Sequence, residues 1–125
     1  MIFGIGTDII DTARIERYLS GNTLLKDRLF SKKEQEYCDS KGKPAEHYAA
    51  RFAAKEAFFK ALGTGYRYGM AFHEIAVLND ELGKPFVELS GKAKEYVKEK
   101  GIHNVHISLS HLKDIACAYV VLETE

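Results

Sequence analysis

The sequence has no tryptophan, only two prolines, and two cysteines among 125 residues. Cys38 and Cys117 are too few for a disulfide framework, and neither stands in a metal-ligand spacing such as CxxC, so both read as reduced thiols of a cytoplasmic protein. Net charge is missing as well. Eighteen Lys and Arg residues cancel eighteen Asp and Glu residues, which leaves no net field to steer the chain toward nucleic acid or anionic lipid; any partner preference must come from local clusters. No apolar run approaches the ~20 residues of a membrane span, and the opening "MIFGIGTDII" lacks the basic and long apolar regions of a signal peptide. Nucleotide-binding loops fail too. "GIG" at Gly4–Gly6 has no third glycine and lies inside a strand pattern, while "SGKA" around Lys92 has neither the upstream glycine nor the following Ser or Thr of a P-loop.

What is present fits a single compact domain spanning residues 1–125. Hydrophobic residues make up 46% of the chain, enough for a core, and there is no repeat or linker. "IFGIGTDII" predicts a buried strand whose two glycines admit a neighbouring backbone, with Asp8 at or near its end. "TARIERYL" predicts a helix capped by Asp11 or Thr12, with Ile15, Tyr18 and Leu19 inward and Arg14, Glu16 and Arg17 elsewhere. "SKKE" at Ser31–Glu34 is a capping box. Pro44 opens a long helix that Gly63 ends. "FHEIAVLN" and "PFVEL" read as strands around the turn "DELGK", "SGKAKEYVKEKG" as an amphipathic helix, and "HNVHISLSH" and "IACAYVVLE" as two strands meeting near "LKD". The expected class is α+β, an antiparallel sheet packed with a long helix.

Three places carry chemistry. In "RFAAKEAFFKALGTG", Glu56 and Lys60 share one helix face beside the stripe of Tyr48, Phe52 and Phe59. They can form a partly exposed ion pair worth ~0.3–0.5 kcal/mol, or the edge of a site. Asp8 can cap the next helix, or face Glu56 and complete a hard-oxygen site for Mg²⁺ with Lys60 meeting phosphate oxygens. "HISLSH" puts His106, Ser108 and Ser110 on one strand face and Ile107, Leu109 and His111 on the other. No GxSxG elbow supports a serine hydrolase.

Taken together, "GIGTDIIDTARI", "RFAAKEAFFKALGTG" and "ISLSH" resemble the holo-acyl-carrier-protein synthases, the small homotrimeric class of 4'-phosphopantetheinyl transferases. The resemblance implies that fold, Mg²⁺ dependence, and transfer of the phosphopantetheine arm of coenzyme A to a serine of apo-acyl carrier protein in support of fatty acid biosynthesis. It implies a homotrimer with active sites at subunit interfaces. Position by position, Asp8 and Glu56 match the metal carboxylates and, with Lys60, the catalytic group. Arg51, Lys60, Gly63, Thr64, Gly65, Lys84, Pro85, His106, Ser110 and His111 match segments around coenzyme A. Arg14 matches a carrier-protein contact, and Arg17, Lys26 and Arg28 extend it into a docking patch. The general base is Glu36, Glu56 or a metal-bound water. Two other functions fit the same residues: a noncatalytic coenzyme A or carrier-protein binding module, and a general phosphohydrolase.

Overall fold

A computed structural model describes residues 1–21 and 23–125. Strand β1 (Ile2–Asp11) runs into helix α1 (Thr12–Gly21), followed by α2 (Thr23–Leu29), α3 (Lys32–Asp39) and the long α4 (Pro44–Leu62). A 3₁₀ turn (Phe72–Glu74) leads into β2 (Ile75–Asn79), then β3 (Pro85–Leu89), α5 (Gly91–Glu99), β4 (Ile102–His111) and β5 (Ile115–Thr124). The strands form an antiparallel three-stranded sheet in the order β1-β5-β4 and a β2-β3 hairpin. This is the α+β arrangement expected from the sequence.

Helix α4 is the centre of the molecule. Every residue from Tyr48 to Lys55 is buried, as are Ala57, Phe58, Phe59, Ala61 and Leu62. A helix apolar on all sides has to be enclosed by other elements. The three-stranded sheet packs along one side of it, and α1, α3 and β2 pack around the rest. Its ends follow local rules. Pro44 occupies the first turn, where its missing N–H costs nothing, and Gly63 closes the helix at φ 78°, a left-handed conformation glycine adopts without strain.

The glycines of β1 meet the expectation of close backbone approach. A Cβ on Gly6 would overlap the Ala57 carbonyl oxygen and lie 2.8 Å from the Ala61 nitrogen, and one on Gly4 would overlap the Ala61 carbonyl oxygen. Strand alternation turns Gly4, Gly6, Asp8 and Ile10 toward α4 and leaves Phe3, Ile5, Thr7 and Ile9 on the outer face. The capping box forms as read: Glu34 N donates to Ser31 Oγ and Ser31 N to Glu34 Oε1.

Several local readings are corrected. Asp8 lies within β1, which continues to Asp11, and it caps no helix. Thr12 Oγ1 has no partner; instead Thr12 N bonds the Asp114 carbonyl, so the β4–β5 turn holds the start of α1. The strand in "FHEIAVLN" begins only at Ile75. Before it, Glu74 folds back to accept from Ala71 N at 2.8 Å and from Lys92 N at 2.9 Å, so Phe72–Glu74 forms a capped turn. The helix at 23–29 has no counterpart in the sequence reading.

Candidate active site

Two strand residues and two helix turns create the first cluster. The β1 register points Asp8 at α4, where Glu56 and Lys60 occupy successive turns of one face. Lys60 Nζ donates to Asp8 Oδ1 at 3.1 Å and to the Thr7 carbonyl at 2.9 Å. The helical neighbours Glu56 and Lys60 therefore do not form a closed surface pair; the lysine reaches across to the strand. Glu56 is half-buried, and its carboxyl pKa is raised, first by burial and next by the charge of Asp8, while Arg14 and Lys60 oppose the shift. Two adjacent carboxylates, one of them short of compensating charge, form a donor set that a divalent cation fits. Arg14 stands beside this pair. Its guanidinium bonds the Tyr18 hydroxyl at 2.7 Å and lies over the Tyr18 and Phe52 rings at 5.4 and 5.7 Å. The adjoining cleft is also lined by Thr7, Ile9, Cys117 and Tyr119.

A second cleft of about 420 Å³ opens farther toward the start of α4. Of the residues matched to coenzyme A, it gathers Arg51, Lys84, Pro85 and His111, and adds Tyr37, His47 and Asn79. Arg51 is buried, lies 4.3 Å above the Tyr37 ring, and donates from Nη2 to Asn79 Oδ1, while its Nε has no partner. The Nε is itself enclosed, so it is the Arg51 guanidinium as a whole that brings positive charge to the wall of the cleft, suited to an oxyanion ligand. The His111 ring lies 5.4 Å from the His47 ring, with its Nδ1 3.2 Å from Glu46 Oε1. Burial, reinforced by the charges of Arg51 and His111, lowers the His47 pKa and favours its neutral ring.

The remaining predicted residues are dispersed. Gly63, Thr64 and Gly65 follow α4 past Lys60, with Gly65 also at positive φ. His106 and Ser110 lie on the outer sheet face with Ser108, which lines the second cleft; Ser110 stands between the lining residues Leu109 and His111, and His106 is held by Glu123. Lys26 is partly exposed and pairs with the exposed Asp39 at 2.9 Å, and Arg14, Arg17 and Arg28 are exposed. Glu36 is exposed on α3 and makes no hydrogen bond or ion pair among the described residues. Sequence reasoning missed Tyr37, His47 and Asn79. Their only signal was the aromatic and amide content of segments read as helix surface or strand end.

A model of the 4'-phosphopantetheinyl transferase superfamily matches residues 4–120. The chain belongs to that family. It is similar to a holo-[acyl-carrier-protein] synthase of Geobacter metallireducens, with 52% identity over 124 residues covering 98% of both chains. The crystal structure of holo-[acyl-carrier-protein] synthase from Neisseria meningitidis superimposes at a TM-score of 0.90 with 39% identity, over 99% of this chain and 100% of that one. A Bacillus anthracis synthase solved in complex with CoA (3',5'-ADP) matches at a TM-score of 0.82 and 39% identity, over 100% and 99%. The transferase fold expected from the sequence is therefore established.

Proposed function

We propose that this transferase moves the 4'-phosphopantetheine arm of coenzyme A onto a serine of apo-acyl carrier protein, releasing adenosine 3',5'-bisphosphate and supporting fatty acid biosynthesis. The observation that carries the reading is the convergence of Asp8, Glu56 and Lys60 within a fold of this family. In the reaction the serine oxygen bonds the pantetheine-side phosphorus. The bond from that phosphorus to the bridging oxygen breaks, and the adenosine-side phosphate leaves with the electron pair. The serine proton passes to Glu56, Glu36 or a bound water. Lys60 supplies a positive charge to the diphosphate, and positioning with charge neutralisation is the main source of catalysis for such transfers. Asp8 and Glu56 would hold Mg²⁺, which supplies Lewis-acid neutralisation of the diphosphate. The second cleft, with the Arg51 guanidinium, Lys84 and the His47 and His111 rings, would take the nucleotide end of coenzyme A, the molecule the Bacillus anthracis relative holds. Mass spectrometry of apo-carrier protein incubated with coenzyme A and Mg²⁺ tests the proposal: the protein should gain the arm, and an unchanged mass would refute transferase activity.

The outer sheet face supports the homotrimer. Ile5, Ile9 and Tyr119 are 69%, 67% and 57% exposed there, a patch that water does not favour. The register aligns Ser108 at the nucleotide cleft with Tyr119, and Tyr119 with Thr7 next to Asp8. A second copy covering this face would therefore bring one subunit's carboxylates near another's cleft. Sedimentation should report a trimer, and Ile5→Glu should give a monomer without turnover. A fully active monomer would rule out a shared site. A cytoplasmic location fits the reduced thiols, and no helix among the described residues is long and apolar enough to cross a membrane.

Carrier-protein docking would use Arg14 and Arg17 of α1, with Arg28 alongside. Replacing Arg14 and Arg17 together by Ala should raise KM for carrier protein several-fold and flatten its salt dependence, with KM for coenzyme A little changed. Equal losses for both substrates would count against docking through this helix.

A further inference from the structure

The core contains an ion pair that packing alone does not require. Lys55 and Glu34 are both fully buried. Lys55 Nζ donates to Glu34 Oε1 at 2.8 Å, to the Phe72 carbonyl at 2.9 Å and to the Ile75 carbonyl at 2.6 Å. Glu34 Oε2 in turn accepts from Val77 N at 2.9 Å, and its Oε1 from Ser31 N at 2.9 Å. Burial lowers the Lys55 pKa, and Glu34 opposes that shift. Because desolvation consumes most of the attraction, apolar residues of the same volume stabilise a core about as well as such a pair. What the pair adds is direction: one contact fixes α3 and β2 at set positions on α4.

Those two elements carry the groups that orient Arg51. Tyr37, on α3, lies under the Arg51 guanidinium, and Asn79, ending β2, accepts from it. Arg51 and Lys55 are one helical turn apart on α4, so the ion pair lies beneath the arginine. We infer that Glu34 and Lys55 are positioning residues for the nucleotide cleft: they hold Tyr37 and Asn79 where these aim Arg51 at the ligand. They act on coenzyme A through Arg51 and do not touch the reacting atoms. The inference rests on the proposal that this cleft takes the nucleotide end of coenzyme A.

The test uses the whole chain with Glu34→Gln and Lys55→Met combined, which removes both charges and keeps one hydrogen-bonding amide. The variant should fold cooperatively. Its Kd for adenosine 3',5'-bisphosphate and its KM for coenzyme A should each rise about tenfold, with kcat and KM for carrier protein within about twofold of the parent, the signature of lost substrate binding. A lowered thermal midpoint with unchanged Kd and KM would show a structural role only and overturn the inference. Arg51→Ala serves as the parallel measurement. If Arg51→Ala leaves nucleotide binding intact, the cleft assignment fails; if it weakens binding while the double variant does not, the positioning role alone fails. Should the double variant not fold, Glu34→Asp, which keeps the charge but shortens the reach, is titrated instead, and unaltered nucleotide affinity there overturns the inference as well.

Discussion

Replacing Glu56 by Gln should leave a folded protein whose transfer rate is at least ~100-fold lower, because the substitution keeps the shape and removes one of the two charges proposed to hold Mg²⁺ against the diphosphate. Asp8→Asn should do the same. The effect on stability has the opposite sign. In the metal-free protein, burial and Asp8 raise the Glu56 pKa, so its ionised form carries a folding penalty above that pKa, relieved as pH falls through it. Gln at position 56 has no charge to desolvate, and the metal-free variant should melt at or above the parent's temperature near neutral pH. In the metal-free protein the same shift means that Glu56 takes up its proton at a higher pH than a free glutamate, and this proton competes with the cation. Activity at limiting Mg²⁺ should therefore fall as pH is lowered and be recovered by raising Mg²⁺. Thermal melts with and without Mg²⁺, together with a pH–rate profile, check all three outcomes. Full activity with retained Mg²⁺ dependence in either variant would dismiss the carboxylate site.

Gly6→Ala should be strongly destabilising. The added Cβ would occupy the space of the Ala57 carbonyl oxygen and approach the Ala61 nitrogen to 2.8 Å, and both are backbone atoms of the central helix that cannot rotate aside. Strand and helix must separate, at a cost of about 3 kcal/mol or more, a large fraction of a small domain's stability. Separation also moves Asp8, on the same face of β1, away from Glu56 and Lys60, so residual folded protein should show reduced turnover. Gly42→Ala, where no atom lies within 4 Å of the added Cβ, is the control and should change the denaturation midpoint little. Equal midpoints for the two variants would show that β1 and α4 are not in backbone contact.

Much of this was legible locally. The Ser31–Glu34 capping box, Pro44 and Gly63 bounding α4, and the alternation along β4 depend on residues within a few positions of one another, so the sequence states them directly. The inward stripe of α1 likewise needed only helical periodicity: Ile15 is buried, and Tyr18 and Leu19 are half-buried. Where a side chain could satisfy either a local or a distant partner, local reasoning failed. Glu74 turned a predicted strand start into a capped turn, and Lys26 found Asp39.

Pattern and local chemistry were enough for the class of fold, the ends of the central helix, the glycines that admit it, and, through three short motifs, the candidates Asp8, Glu56 and Lys60. Packing set the pairing of Lys60 with Asp8 across 52 positions of chain, the placing of Arg51 between Tyr37 and Asn79, and the meeting of Lys55 with Glu34 in the core. One cause underlies all three. A long charged side chain takes the partner that burial and backbone geometry bring within reach, and that choice is set by how α4 is enclosed rather than by spacing along the chain.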